Sequence, residues 1–266
     1  MKNVIKSQIY NLFTKRNILY VYAFCVLTAL ITILNATANL EKHGIYDIAG
    51  SDILSTCGYY EFSLFFCAYV MCYAICKDLK NKSLYYEISC GISRDTALIG
   101  RYIAGLLISI VGITIVTYTP VILYTLTNEW GDRLSVGSML FRAFEYYLFI
   151  ARFAAEITII AVIVGRTLPA FAVFMVINII EERIVYYLYD INKLPEKLVG
   201  LFSPFSTQFI LRVNTEYYYA VGTGLTPEHQ KWIPVDEAVM MTLFSVSVIC
   251  VALIAAKVIF RKKDFT

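Results

Sequence analysis

Charge is what this sequence has least of. Lys, Arg, Asp and Glu make up 16% of its 266 residues and hydrophobic residues 59%, whereas soluble domains carry about 25% charge. A soluble fold could not hide that much apolar surface. Histidine is nearly missing: His43 and His229 are far apart and read as solvated loop residues. No Ser/His/Asp set, zinc-ligand cluster or haem motif is present, so no catalytic residue and no metal site are expected. The seven cysteines are scattered, mostly in apolar segments (Cys25, Cys67, Cys72, Cys76, Cys250), and show no paired spacing, which argues against a disulfide framework. Cys72 and Cys76 share a helical face, but two thiols alone make a poor metal site. The phosphate-cradling pattern Gly-x-x-x-x-Gly-Lys-Ser/Thr is also missing, so this chain alone is not expected to hydrolyse ATP. Nor is a cleavable signal peptide expected: the first apolar run follows a polar segment and lacks a small-residue cleavage site.

Long apolar runs are abundant. A bilayer core takes about 20 apolar residues per helix. Ile18–Ala38, Tyr102–Asn128 and Ala238–Ala256 are uncharged and meet or nearly meet that length. Phe62–Cys76 is shorter, and only Glu61 separates it from the uncharged Ile53–Tyr60. Ala143–Gly165 and Thr167–Tyr189 are apolar with embedded charges. The expectation is an all-α polytopic membrane protein with six transmembrane helices in a single domain, residues 1–266. Lys and Arg set orientation by staying in the cytoplasm. With the N-terminus inside, fourteen of the 23 Lys and Arg fall inside, seven outside, and Arg152 and Arg183 within the membrane. Both termini are therefore expected to be cytoplasmic.

Residues 1–17 read as an amphipathic interfacial helix. Ile5, Ile9, Leu12 and Phe13 share a face, and Lys2, Lys6, Lys15 and Arg16 lie largely elsewhere, an arrangement suited to the inner leaflet. Residues 77–101 form the longest cytoplasmic segment. There Gly91 is a helix stop and Ser93 an N-cap for a helix running into the third span. A short helix, a turn and a re-entry helix result, a shape for docking a partner. Residues 190–237 form a long outer segment. Within it Leu198–Leu211 is uncharged, broken by Ser203-Pro204-Phe205-Ser206, and too short to span, which suits a re-entrant or interfacial hairpin.

Charges at membrane depth are costly and face a partner or a wet cavity. Glu145, Arg152 and Glu156 fall on one helical face at spacings of seven and four, and Glu181, Glu182 and Arg183 interrupt the fifth span. The short link at Arg166 makes spans four and five antiparallel neighbours, with Arg152 and Glu181/Glu182 at similar depth. A pair between Arg152 and Glu181 or Glu182 is expected, acting as a structural tether, as a polar wall of a substrate path or as a state-dependent latch. Glu181-Glu182 is similar to the Glu-Glu-x-x-x-Arg motif of CPBP intramembrane proteases, but Tyr186 stands where that motif needs Arg and no suitable histidines follow.

The layout resembles the membrane subunit of type-2 ATP-binding-cassette (ABC) transporters over nearly the whole chain. The order is an interfacial helix (1–17), two spans, a cytoplasmic coupling segment (77–101), three spans, an outer re-entrant element (about 198–211), a last span and a basic tail. The local likeness is at Gly91-Ile92-Ser93-Arg94, followed seven residues later by Arg101, and at Phe260-Arg261-Lys262-Lys263-Asp264-Phe265. The chain departs from the family in having Arg101 where Lys is common and more charge in spans four and five.

The resemblance implies a permease in the cell's inner (cytoplasmic) membrane that binds no cofactor itself. ATP and Mg would sit on a separate soluble ATPase, present in two copies and docked under residues 77–101 and the N-terminal helix. Glu87, Gly91, Ile92, Ser93, Arg94 and Arg101 would form the coupling contact. A second permease subunit, identical or paralogous, would complete the path through the lipid bilayer. The cargo would be an amphipathic peptide such as a bacteriocin, a lipid or a drug; no nucleic acid is expected. Two other classes fit the residues: a proton-coupled secondary transporter using Glu156, Glu181 or Glu182, and a non-transporting immunity or sensor protein.

Overall fold

The protein is represented by a computed structural model describing residues 2–13, 60–80, 83–127, 129–130, 135–191, 201 and 235–263, with scattered residues between 23 and 38. Seven helices are complete enough to name: α1 (Lys2–Phe13), α2 (Tyr60–Lys80), α3 (Ser83–Ser89), α4 (Arg94–Thr127), α5 (Val136–Val164), α6 (Thr167–Asp190) and α7 (Val235–Lys262). Among the described residues there is no strand. The described residues between 23 and 38 are also helical, with Val26, Leu27, Leu30, Ile31 and Leu34 outward.

Local chemistry sets the helix limits. Ser135 caps α5, its Oγ accepting the Ser138 N–H at 3.2 Å, and Gly165 (φ 71°) closes the helix by donating its N–H to the Ala161 carbonyl at 2.9 Å. Only Gly165 and Arg166 separate α5 from α6, as the sequence suggested. Ser93 caps α4, its Oγ accepting the Thr96 N–H at 3.2 Å, and Asp95 in the first turn complements the helix dipole.

α5 is the central helix, packing on α2, α4, α6 and most extensively on α7. Phe149, Ile150, Phe153, Ala154, Ala155 and Ala161 are buried along it. Phe153 meets Phe174 of α6 edge-on, ring centres 4.7 Å apart. The outer faces are apolar too: Val176, Ile177 and Ile180 on α6 and Leu243, Val251 and Ile254 on α7 are exposed. A protein in water avoids such belts; hydrocarbon is their natural solvent. Among the described residues three helices are long and apolar enough to cross a membrane: α4, α5 and the Ala238–Lys262 part of α7. Over its described residues the chain is thus an all-helical membrane protein. α2 and α6 lie beside these helices in the same bundle.

α1 begins and ends within the expected 1–17 segment, and residues 14–17 lie outside the described set. Its most buried residues are Val4 and Gln8, with Ile5 and Ile9 half-buried. Ile5 and Ile9 of the expected stripe thus lie on the packed side beside Val4 and Gln8, and the side chains of Leu12 and Phe13 lie outside the described set. α1 lies on the start of α4, where Gly100 makes room: a Cβ there would stand 2.7 Å from Val4 Cγ1. Of the segment 190–237, expected on the outer side, residues 192–200 and 202–234 lie outside the described set.

Candidate functional site

Two polar assemblies interrupt this apolar bundle. The first gathers one end of it. α2 delivers Asp78 in its last turn, α3 delivers Glu87, α4 delivers Arg101 in its second turn, and α1 delivers Gln8. Arg101 Nη2 lies 2.8 Å from Asp78 Oδ2 and 2.9 Å from Glu87 Oε2. Its Nε donates to Asp78 Oδ2 at 3.0 Å and its Nη1 to the Ala97 carbonyl at 3.0 Å. Gln8 Nε2 donates to Asp78 Oδ2 at 2.8 Å and to Glu87 Oε1 at 3.5 Å. One guanidinium thus joins two carboxylates on different helices, a task its fork of donors suits better than a lysine ammonium.

This geometry revises the role expected for Arg101. The residue is 1% exposed, so it cannot reach a docked protein; it fixes α3 from within. Glu87 also turns inward. The outward side of α3 and its turn is made by Tyr86 (68% exposed), Ser89, Cys90 and Gly91, with Leu84 and Ile88 against the core. The turn is a Schellman motif. The Ile92 N–H donates to the Glu87 carbonyl at 3.1 Å and the Gly91 N–H to the Ile88 carbonyl at 3.0 Å, with Gly91 at φ +89°. Ser93 is exposed and Ile92 half-buried.

Arg94 is committed to the chain's own tail. Its Nη1 donates to the Arg261 carbonyl at 2.6 Å and to the Lys263 carbonyl at 3.3 Å. Asp95 answers with an ion pair to Lys257 at 2.7 Å and a two-pronged one to Arg261, whose Nε reaches it at 2.8 Å. Lys263 Nζ donates to the Val162 and Ile163 carbonyls at 2.7 and 3.3 Å, placing a cation on the carbonyl end of α5. Sequence reading singled out Arg94 and the basic tail separately. It did not find Asp78, Gln8 or Asp95, which bind them together.

The second assembly is a charged seam between α5 and α7. Arg142, Glu145 and Arg152 are 2%, 3% and 5% exposed, and Glu156 is half-buried. Arg152 Nε donates to Glu156 Oε1 at 3.0 Å, and Nη1 donates to the Leu201 carbonyl at 2.6 Å. Its guanidinium carbon stands 4.7 Å from the Phe244 ring centre. The expected pair with Glu181 or Glu182 is therefore replaced by a partner one turn along the same helix and by the Leu201 carbonyl. Glu181 and Glu182 are half-buried on α6, and Arg183 and its neighbour Ile184 face outward. Glu145 Oε1 and the Thr242 hydroxyl oxygen of α7 lie in hydrogen-bond contact at 2.6 Å. Nearby hydroxyls pair as well: Ser63 of α2 with Tyr146, and Thr114 of α4 with Tyr147 at 2.7 Å.

Cys67, Cys72 and Cys76 are buried in α2, and the Cys76 thiol donates to the Ala161 carbonyl at 3.4 Å. Among the described residues no group of three or more His, Cys, Asp and Glu side chains could hold a metal. The first assembly ties α1, α2, α3 and α4 together at one end of the bundle, and the second sets charged side chains inside an apolar interior. No protein-family model matches this chain, and no curated protein matches it.

Proposed function

We propose that this chain is the membrane subunit of an ATP-driven exporter of the ABC type, forming the substrate path as a dimer with an identical or paralogous subunit. The observation that supports this most is the junction around Arg101. A short helix, α3, stands at one end of the bundle with an exposed outer side (Tyr86, Ser89, Cys90) and an inner side tied by Glu87 to α4, α2 and, through Gln8, α1. A push on its outer side would reach three further helices through one guanidinium. In the proposed mechanism two soluble ATPase subunits, carrying ATP and Mg, close on ATP binding and press on α3, shifting the half-path as a rigid body. Tyr86, Ser89, Cys90 and Gly91 make the contact, and Glu87 and Arg101 pass the load inward.

The same proposal has six spans, both termini cytoplasmic in the inner membrane, and a re-entrant element over 198–211. Two contacts support it. The tail of α7 and helix α1 both pack at the start of α4, so they share one end of the bundle. Leu201 meets Arg152 near the middle of α5, a depth a surface loop would not reach. The cargo is an amphipathic peptide, lipid or drug; Arg152 and Glu156 line its path.

The test is recovery of the tagged chain from its native membranes in mild detergent, with mass spectrometry of what accompanies it. An ABC ATPase that is retained, crosslinks through Cys90 and is lost on Tyr86→Glu is the expected result. An intact chain with no ATPase would overturn the reading. Transport that followed the proton gradient while ATP persisted would favour a secondary transporter, and a ligand bound but never moved in sealed vesicles an immunity or sensor protein.

A further inference from the structure

Glu145 lies in the third turn of α5, inside the bundle and 3% exposed. The carboxylate–cation pairing that neutralises Glu156 does not extend to it. Among the described residues no Lys or Arg lies within ion-pair range of Glu145. Arg142, the nearest cation along α5, directs its Nε to Ser138 Oγ at 3.4 Å. The group facing Glu145 from α7 is the neutral Thr242 hydroxyl, at 2.6 Å.

Thr242 Oγ also lies 2.8 Å from the Ala238 carbonyl one turn back on α7, the usual back-bond of a threonine in a membrane helix. A hydroxyl has one proton to donate, and an ionised carboxylate and a backbone carbonyl can only accept. With Glu145 ionised, one of these two short oxygen–oxygen contacts would have no hydrogen in it. With a proton on Glu145 both are filled: the acid O–H donates to Thr242 Oγ, and the Thr242 O–H donates to Ala238.

We infer that Glu145 is a proton-binding site, joined to α7 by an uncharged acid–hydroxyl–carbonyl chain. Hydrogen counting carries the inference, and two physical facts agree with it. An unpaired charge inside a membrane protein is expensive, and a proton, unlike an organic or metal cation, needs no cavity. Binding is balanced: a carboxylate and a hydronium give a carboxylic acid and water. Release of the proton would remove one of the two hydrogen bonds and leave an uncompensated charge in the seam, so the α5–α7 contact is proton-linked. The inference concerns this chain alone and stands whether or not an ATPase docks on α3.

The unaltered protein in lipid nanodiscs provides the test. Dicyclohexylcarbodiimide adds to protonated carboxyls in apolar surroundings. Trypsin cuts after Arg142 and Arg152, so Glu145 and Glu156 fall in separate peptides. The expected result is an adduct on the Glu145 peptide and none on the Glu156 peptide. In the infrared, the carbonyl stretch of a buried carboxylic acid should be lost in Glu145→Gln and kept in Glu156→Gln. An intact protein with Glu145 unmodified, or an acid band unchanged by Glu145→Gln, overturns the inference. The labelling arm uses no variant, so it stands even if Glu145→Gln fails to accumulate.

Discussion

Arg101 holds the inner junction because a guanidinium can serve two carboxylates and a carbonyl at once. Arg101→Ala leaves Asp78 and Glu87 facing each other without their cation. Both acids keep some solvent access, 14% and 24%, which softens a loss that can reach about 5 kcal/mol for a fully buried pair. A destabilisation of about 2 to 3 kcal/mol is expected, read as a lowered midpoint of thermal unfolding in nanodiscs. Arg101→Lys should recover only part of it, since an ammonium lacks the fork. Sequence reading placed Arg101 and Glu87 in this segment and gave them an outward role. Their partners lie 23 and 79 positions away along the chain, Asp78 from Arg101 and Gln8 from Glu87, and no local pattern encodes such pairings. Glu145 shows the converse. Its place on a charged face was legible from spacing, but only the fold brings Thr242 to it.

Elements whose limits are set by local chemistry were the readable ones. Gly91 stops α3, Ser93 starts α4, and Gly165 with Arg166 makes a tight link because each acts on its own backbone. At Gly91 the reason for glycine is conformation alone: φ is +89° and a Cβ would find nothing within 4 Å. Gly91→Ala should therefore cost about 1 kcal/mol of left-handed strain and no packing energy, while Gly91→Asn should cost less. Hydrogen exchange checks this. The amides of Gly91 and Ile92, which close the turn, should exchange faster in the alanine variant, with α5 unchanged. Equal protection in both would mean the turn does not depend on this residue. The face of α1 was harder to read. Its packing on α4 depends on the space above Gly100 and on Gln8 reaching the Arg101 junction, and hydrophobic periodicity registers neither.

At the scale of the whole molecule, hydrophobic length predicted the class correctly and the details of the bundle only in part. Among the described residues three helices are long and apolar enough to cross a membrane. α6 is long enough but carries Glu181, Glu182 and Arg183 in succession, so length and composition pull against each other there. What unifies the molecule is the gathering of α1, α3, the start of α4 and the tail of α7 at one end through Arg101, Arg94 and Asp95. That end also carries Cys90, exposed in the α3 turn, whereas Cys67, Cys72 and Cys76 are buried. In a variant with Cys25, Cys57 and Cys250 changed to Ser, a membrane-impermeant maleimide should therefore label Cys90 and little else. If the positive-inside asymmetry orients the bundle, labelling should be strong in inverted vesicles and negligible in intact cells. Labelling from outside intact cells would reverse the bundle in the membrane. It would place α3 where no cytoplasmic ATPase could touch it, and the exporter reading would fall with the orientation.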